Sequence, residues 1–157
     1  MSEAAPIVGV LVASPAELAV MQQATAILEK LGVPHETRVM SASRSPDVVD
    51  EYARIAFERG LKVLVCTTGI SGHLAAAVAA RTILPVVGVP ISTEQMDGPQ
   101  ALYVTAQMPS GVPVATVGVD AAVNAAVLAA EIVAVADKDI QARLWRFKDD
   151  LAEGLRL

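Results

Sequence analysis

One cysteine, Cys66, and two histidines, His35 and His73, are all the thiol and imidazole this chain carries. That scarcity excludes a disulfide framework and a cysteine-based zinc site, and it leaves too few rings for a His-rich metal centre. Positive charge is scarce as well. Twelve Lys and Arg stand against seventeen Asp and Glu, for a net charge of -5 and a pI near 4.9. Sequence-independent affinity for nucleic acid comes from clustered basic residues, so a phosphate bound here is expected to be a single group rather than a backbone. Long unbroken apolar runs are also missing. Arg81 and Pro85 divide the stretch after His73, and Asn124 and Glu131 interrupt the Ala-rich stretch at 121–136. Neither reaches the roughly 20 apolar residues that a membrane span requires. Residues 1–5 have neither the basic nor the apolar segment of a signal peptide, so the expectation is a cytoplasmic protein with no membrane or nucleic-acid partner, metal or cofactor.

Apolar residues are in excess, at 54% with only 18% charged, against roughly 45–50% and about 25% in ordinary globular chains. At 157 residues the chain makes a single domain, 1–157, able to bury a core without metal or disulfides. The surplus of apolar surface predicts assembly into an oligomer.

Short apolar runs alternate with helical patterns. Strands are predicted at 6–12, 33–40, 61–66, 84–90 and 114–119. Helices are predicted from Ser14 to Gly32, from Pro46 to Glu58, after His73, at 97–108, at 121–136 and at 139–157. This alternation gives an α/β fold, a three-layer α/β/α sandwich around a doubly wound parallel sheet, order 2-1-3-4-5. Ser14-Pro15-Ala16-Glu17 has the spacing of a capping box, with Pro at the first helical position. In the last helix, Ile140, Leu144, Phe147, Leu151 and Leu155 form an apolar stripe, with Trp145 off it. That helix is expected to pack on the domain or on a neighbouring subunit.

Ligands of open α/β sheets bind outside the carboxyl ends of the strands, and three strand ends here carry suitable residues. Ser14 and Glu17 follow the first strand, as a cap, as ligand groups, or as both. After the second, Ser41-Ala42-Ser43-Arg44-Ser45-Pro46 combines three hydroxyls and a guanidinium before a Pro-initiated helix. That set suits a phosphate, although Ser45 as a simple cap and Arg44 as a solvated charge are equally compatible. After the third, the small-residue loop Thr67-Thr68-Gly69-Ile70-Ser71-Gly72 leads into His73, an imidazole at the mouth of a ligand site or a helix-capping one. Cys66 is read as a buried thiol, because no base or cation neighbours it.

Side by side, SASRSP at 41–46, GISGHL at 69–74, ILPVVGVP at 83–90, LYVTAQMPSGVPVATV at 102–117 and AAVNAAVLAAEI at 121–132 resemble the carboxyaminoimidazole ribonucleotide mutase family of purine synthesis. That family is related to the aminoimidazole ribonucleotide carboxylases. The resemblance covers nearly the whole chain and implies a flavodoxin-like domain, a phosphorylated ribonucleotide as substrate, and a homo-octamer. It places Ser14, Glu17, Ser41, Arg44, Gly69 and Ser71 against the substrate, with Arg44 on the phosphate. Ala13, Ala16 and Ile70 depart from the family's loops, as do Ala75 and Ala76. Ser43 stands where the family has its catalytic His, which shuttles the proton at the imidazole carbon during carboxyl transfer. An alcohol cannot do that near neutral pH unaided, which leaves His73 as the other ring near these loops. Three readings follow: the family reaction with another proton carrier, a related carboxylation, decarboxylation or lyase step on a different small molecule, and a non-catalytic nucleotide-binding subunit.

Overall fold

A computed structural model describes residues 4–70 and 73–156. β1 (Val8–Val12) is followed by a 3-10 turn (Pro15–Glu17) and α1 (Leu18–Lys30). Next come β2 (His35–Val39), α2 (Pro46–Ile55), β3 (Val63–Thr68) and α3 (His73–Ala79). β4 (Val86–Pro90), α4 (Gly98–Ala106), β5 (Ala115–Thr116), α5 (Ala122–Ala134) and α6 (Lys138–Ala152) complete the chain. All pairings are parallel, in the order β2-β1-β3-β4-β5 expected from the sequence.

Why these runs become strands is visible in their burial. Every residue of β1, β3 and β4 is buried, and the two-residue alternation of a strand sends neighbours to opposite faces. Val8, Val10, Val12, Val63, Val65, Val87 and Val89 face α1, α5 and α6, forming one core. Leu11, Leu64, Cys66 and Val86 face α2 and α3, forming the other. The small residues of α5 let it lie close to α1 and the sheet. In α6, Ile140, Leu144 and Phe147 join the first core, and Arg143 Nε donates to Leu31 O at 2.6 Å. Gly32, at φ 62, ends α1 there in a conformation that favours glycine.

β5 is shorter than the sequence suggests. Pro113 has no N–H to offer the ladder just before it, and beyond Thr116 the chain bonds to β4 irregularly, through Val117 N to Gly88 O and Asp120 N to Pro90 O. Thr67 and Thr68, expected in the following loop, instead end β3, with Thr68 in register with Pro90. No helix among the described residues is long and apolar enough to cross a membrane.

At the edge strand, Glu36 gathers three partners. Oε1 accepts from Tyr52 Oη at 2.8 Å and from Arg59 Nη2 at 2.7 Å, and Oε2 takes Arg38 at 3.1 Å. Burial works to raise the carboxyl pKa, but the bonds from Tyr52, Arg59 and Arg38 outweigh it and hold the group below its ordinary value of 4.5. A pKa lowered by folding stabilises the protein above that ordinary value, and the contribution fades as pH falls through the depressed one. Glu36→Gln is therefore expected to lower the urea midpoint at pH 7 and to match wild type more closely at pH 3. Equal midpoints at pH 7 would show that the cluster adds nothing.

Candidate functional site

The loop after β1 does not use Ser14 and Glu17 as a capping box. Ser14 makes no side-chain cap, and its carbonyl accepts from Glu17 N at 3.1 Å, tightening a 3-10 turn that Pro15 opens. The Glu17 carboxylate goes elsewhere. Its Oε2 accepts from Ala13 N at 3.2 Å and, at 2.5 Å, from the Thr67 hydroxyl at the end of β3. Thr67 Oγ1 in turn accepts from Ala13 N at 2.9 Å. Glu17 is 8% exposed, a depth at which carboxylates are rare unless partnered.

After β2, Ser41 and Ser45 bond one another. Ser45 Oγ donates to Ser41 O at 3.1 Å and accepts from Ser41 N at 3.3 Å, so Ser45 precedes α2 without capping it through its side chain. Ser41 Oγ accepts from Arg44 N at 3.3 Å. Arg44 reaches across to the neighbouring loop, where Nη2 donates to Ala13 O at 3.0 Å. The backbone of Ala13 thus holds three strand ends together: its carbonyl takes Arg44, and its N–H meets Glu17 and Thr67.

Beyond β3 the chain passes Gly69 at the closest approach to Glu17. A Cβ at Gly69 would overlap Glu17 Oε1, so only glycine leaves the carboxylate where it is. His73 is the first residue of α3 and is exposed. Ser71 lies outside the described residues. Cys66 is fully buried, and burial pushes its thiol pKa well up, so it is not a nucleophile. His35, with Nδ1 3.0 Å from Val33 O, is the first residue of β2, at the opposite end of that strand from the 41–45 loop.

These loops enclose a cleft of about 210 Å³ lined by Ser14, Glu17, Ser41, Ser43, Arg44 and His73, with Gly69 and Thr67 among its walls. The structure therefore brings together every expected site residue that it describes. It also adds Thr67, which a reading of the sequence treats as turn. The available signal was a hydroxyl at the last positions of an otherwise aliphatic strand. Another groove of about 290 Å³, between α5 and α6, is lined by Val135, Leu144 and Trp145 together with Gln141 and the ion pair of Lys148 and Glu131, which already satisfy one another at 2.9 Å.

Chemically, the cleft offers a guanidinium, three serine hydroxyls, one buried carboxylate and one imidazole. Arg38, Arg54, Arg59 and Arg81 are ion-paired to carboxylates. Arg44 instead bonds a neutral carbonyl, which leaves its charge uncompensated for an anion. No cluster of three or more His, Cys, Asp or Glu among the described residues is disposed to hold a metal ion.

Gly69→Ala is expected to destabilise the fold by about 1–3 kcal/mol, the usual cost of overpacking a filled site. Combined with Glu17→Ala, which removes the group the new methyl would strike, most of that cost should disappear. Urea titration of the four proteins of this cycle checks it, and strictly additive effects would contradict the contact.

The family model described as AIR carboxylase matches residues 7–154. N5-carboxyaminoimidazole ribonucleotide mutase of Pyrococcus horikoshii is 42% identical over 151 residues, covering 96% of this chain and 85% of the relative. The enzyme of that name from Bacillus subtilis is 44% identical over 141 residues, 88% of this chain and 87% of its own. Phosphoribosylaminoimidazole carboxylase of Schizosaccharomyces pombe is 41% identical over 94% of this chain, which spans only 27% of that longer protein. In fold, the crystal structure of Treponema denticola PurE superposes with a TM-score of 0.84 at 24% identity, covering 94% of this chain and 92% of that one. With a family model over almost its whole length and relatives above 40% identity, the chain belongs to the AIR carboxylase family.

Proposed function

We propose that this protein transfers a carboxyl group on an aminoimidazole ribonucleotide in purine synthesis, as a carboxyaminoimidazole ribonucleotide mutase or carboxylase of the cytoplasm. The observation that carries this reading is the identity of 42–45% to enzymes named N5-carboxyaminoimidazole ribonucleotide mutase across most of the chain. The cleft supports it, because the residues that the resemblance assigns to the substrate line one cavity. Arg44, Ser14 and Ser41 hold the phosphate. Ser43, in the position of the family's catalytic imidazole, favours a second reading, in which the scaffold works on a different small molecule.

Assembly belongs to the same proposal. Phe57, Ile83, Tyr103, Val135 and Trp145 are each more than half exposed, an amount of large apolar surface that a monomer rarely leaves in water. A homo-octamer would cover part of it. Light scattering is expected to give eight times the 16.3 kDa chain mass, and a stable single-chain mass at micromolar concentration would overturn the assembly.

Charge-assisted bonds contribute on the order of 1.5–3 kcal/mol each. Arg44→Ala should therefore weaken binding of aminoimidazole ribonucleotide by about tenfold or more, and the dephosphorylated nucleoside should bind wild type far more weakly than the nucleotide. Calorimetry measures both. Equal affinities for nucleotide and nucleoside would reject the phosphate site.

A further inference from the structure

Moving a carboxyl group from the exocyclic nitrogen of an aminoimidazole to a ring carbon requires a proton to travel the other way. The N–C bond to the carboxyl carbon breaks, its electron pair stays on nitrogen, and that nitrogen gains a proton. A C–C bond then forms from the ring carbon to the freed carbon dioxide. The ring carbon loses its hydrogen as a proton, and the C–H electron pair returns to the ring. Proton count and charge balance within the substrate, so one group that accepts the proton at carbon and returns it at nitrogen suffices.

Three side chains in the cleft are candidates. Ser43 is an alcohol, a poor proton carrier near neutrality. His73 is exposed at the start of α3, and among the described residues no hydrogen bond fixes its ring. Glu17 differs from both. It is buried and lines the cleft, and Oε2 is anchored by Ala13 N–H and the Thr67 hydroxyl while Oε1 faces Gly69. A proton carrier has to be held in one orientation, and a carboxylate fixed through one oxygen meets that need.

We propose that Glu17 is the proton carrier of this protein, taking the place of the imidazole missing at Ser43, with Thr67 as its positioning residue. The proposal rests on the carboxyl-transfer reading above. Within it, Glu17, as part of the cleft wall, takes the proton from the ring carbon and returns it to nitrogen.

The test compares wild type, Glu17→Gln and Thr67→Val for turnover of N5-carboxyaminoimidazole ribonucleotide and, separately, for binding of aminoimidazole ribonucleotide by calorimetry. Positioned acid–base groups typically contribute about 10² to 10⁴ in rate. The expected result is a fall in kcat of about a hundredfold or more in Glu17→Gln, with the dissociation constant within about threefold of wild type. Thr67→Val, which frees the carboxylate to rotate, should lose about tenfold in kcat with binding retained, and it carries the test alone if Glu17→Gln does not fold. Formate added to Glu17→Ala should restore part of the rate. Wild-type kcat in both Glu17→Gln and Thr67→Val overturns the assignment, as does loss confined to His73→Asn. Binding that falls in step with turnover also overturns it, making Glu17 a substrate-holding group. No turnover by the wild-type chain overturns the carboxyl-transfer reading and this proposal together, whereas turnover that survives Glu17→Gln sinks this proposal alone.

Discussion

Everything at the site depends on β1 running parallel between β2 and β3. In that register Val8 lies beside His35 on one side and Val63 on the other, and the three strands end together. Parallel neighbours need crossovers, and the crossovers here are helices that cover both faces of the sheet. Polar groups are thereby excluded from the sheet's faces and collect at its rim. Ala13, Thr67 and the serines of the 41–45 loop meet because they are the first residues past the aliphatic runs.

The second level of order is a competition for one carboxylate. Local spacing offers Glu17 a place in a capping box with Ser14, a contact between partly exposed groups. The fold offers the Thr67 hydroxyl and the Ala13 amide in a buried position, where an unmade hydrogen bond costs more than an exposed one gains. The buried partners win, and the first helical turn tightens to 3-10 geometry as Glu17 turns inward. Gly69 is part of the same solution, because any side chain there would occupy the space that Oε1 fills.

The contrast between these levels explains what could be read from the sequence. Strand order was legible because alternating β and α segments with short connections and right-handed crossovers admit few topologies. The cleft was legible as well, since the carboxyl ends of adjacent strands must converge. β5 was overestimated because its apolar pattern carries no information about where the pairing with β4 turns irregular, beyond Thr116. The partner of Glu17 was not legible because Thr67 lies 50 residues downstream, and spacing within a short window cannot see a tertiary donor. Ser45 is the local counterpart. Its position before Pro46 reads as a cap, yet its hydroxyl bonds back to Ser41 and stiffens the loop that carries Arg44.

An acidic chain with an anion site presents an apparent conflict, and the pairing of its arginines resolves it. Net charge acts over distances that salt screens within about 10 Å, whereas an anion in the cleft meets Arg44 directly. Arg54 and Arg81 share Asp50, and Arg38 and Arg59 share Glu36, so each of those four cations already has a carboxylate partner away from the cleft. The contact of Arg44 with the Ala13 carbonyl orients the guanidinium without cancelling its charge. Glu17 bonds the N–H of that same alanine, one peptide group earlier. The backbone of one residue therefore fixes a cation and a carboxylate in the wall of one small cleft. A substrate that carries a phosphate and exchanges a proton would use both groups, the cation for the phosphate and the carboxylate for the proton.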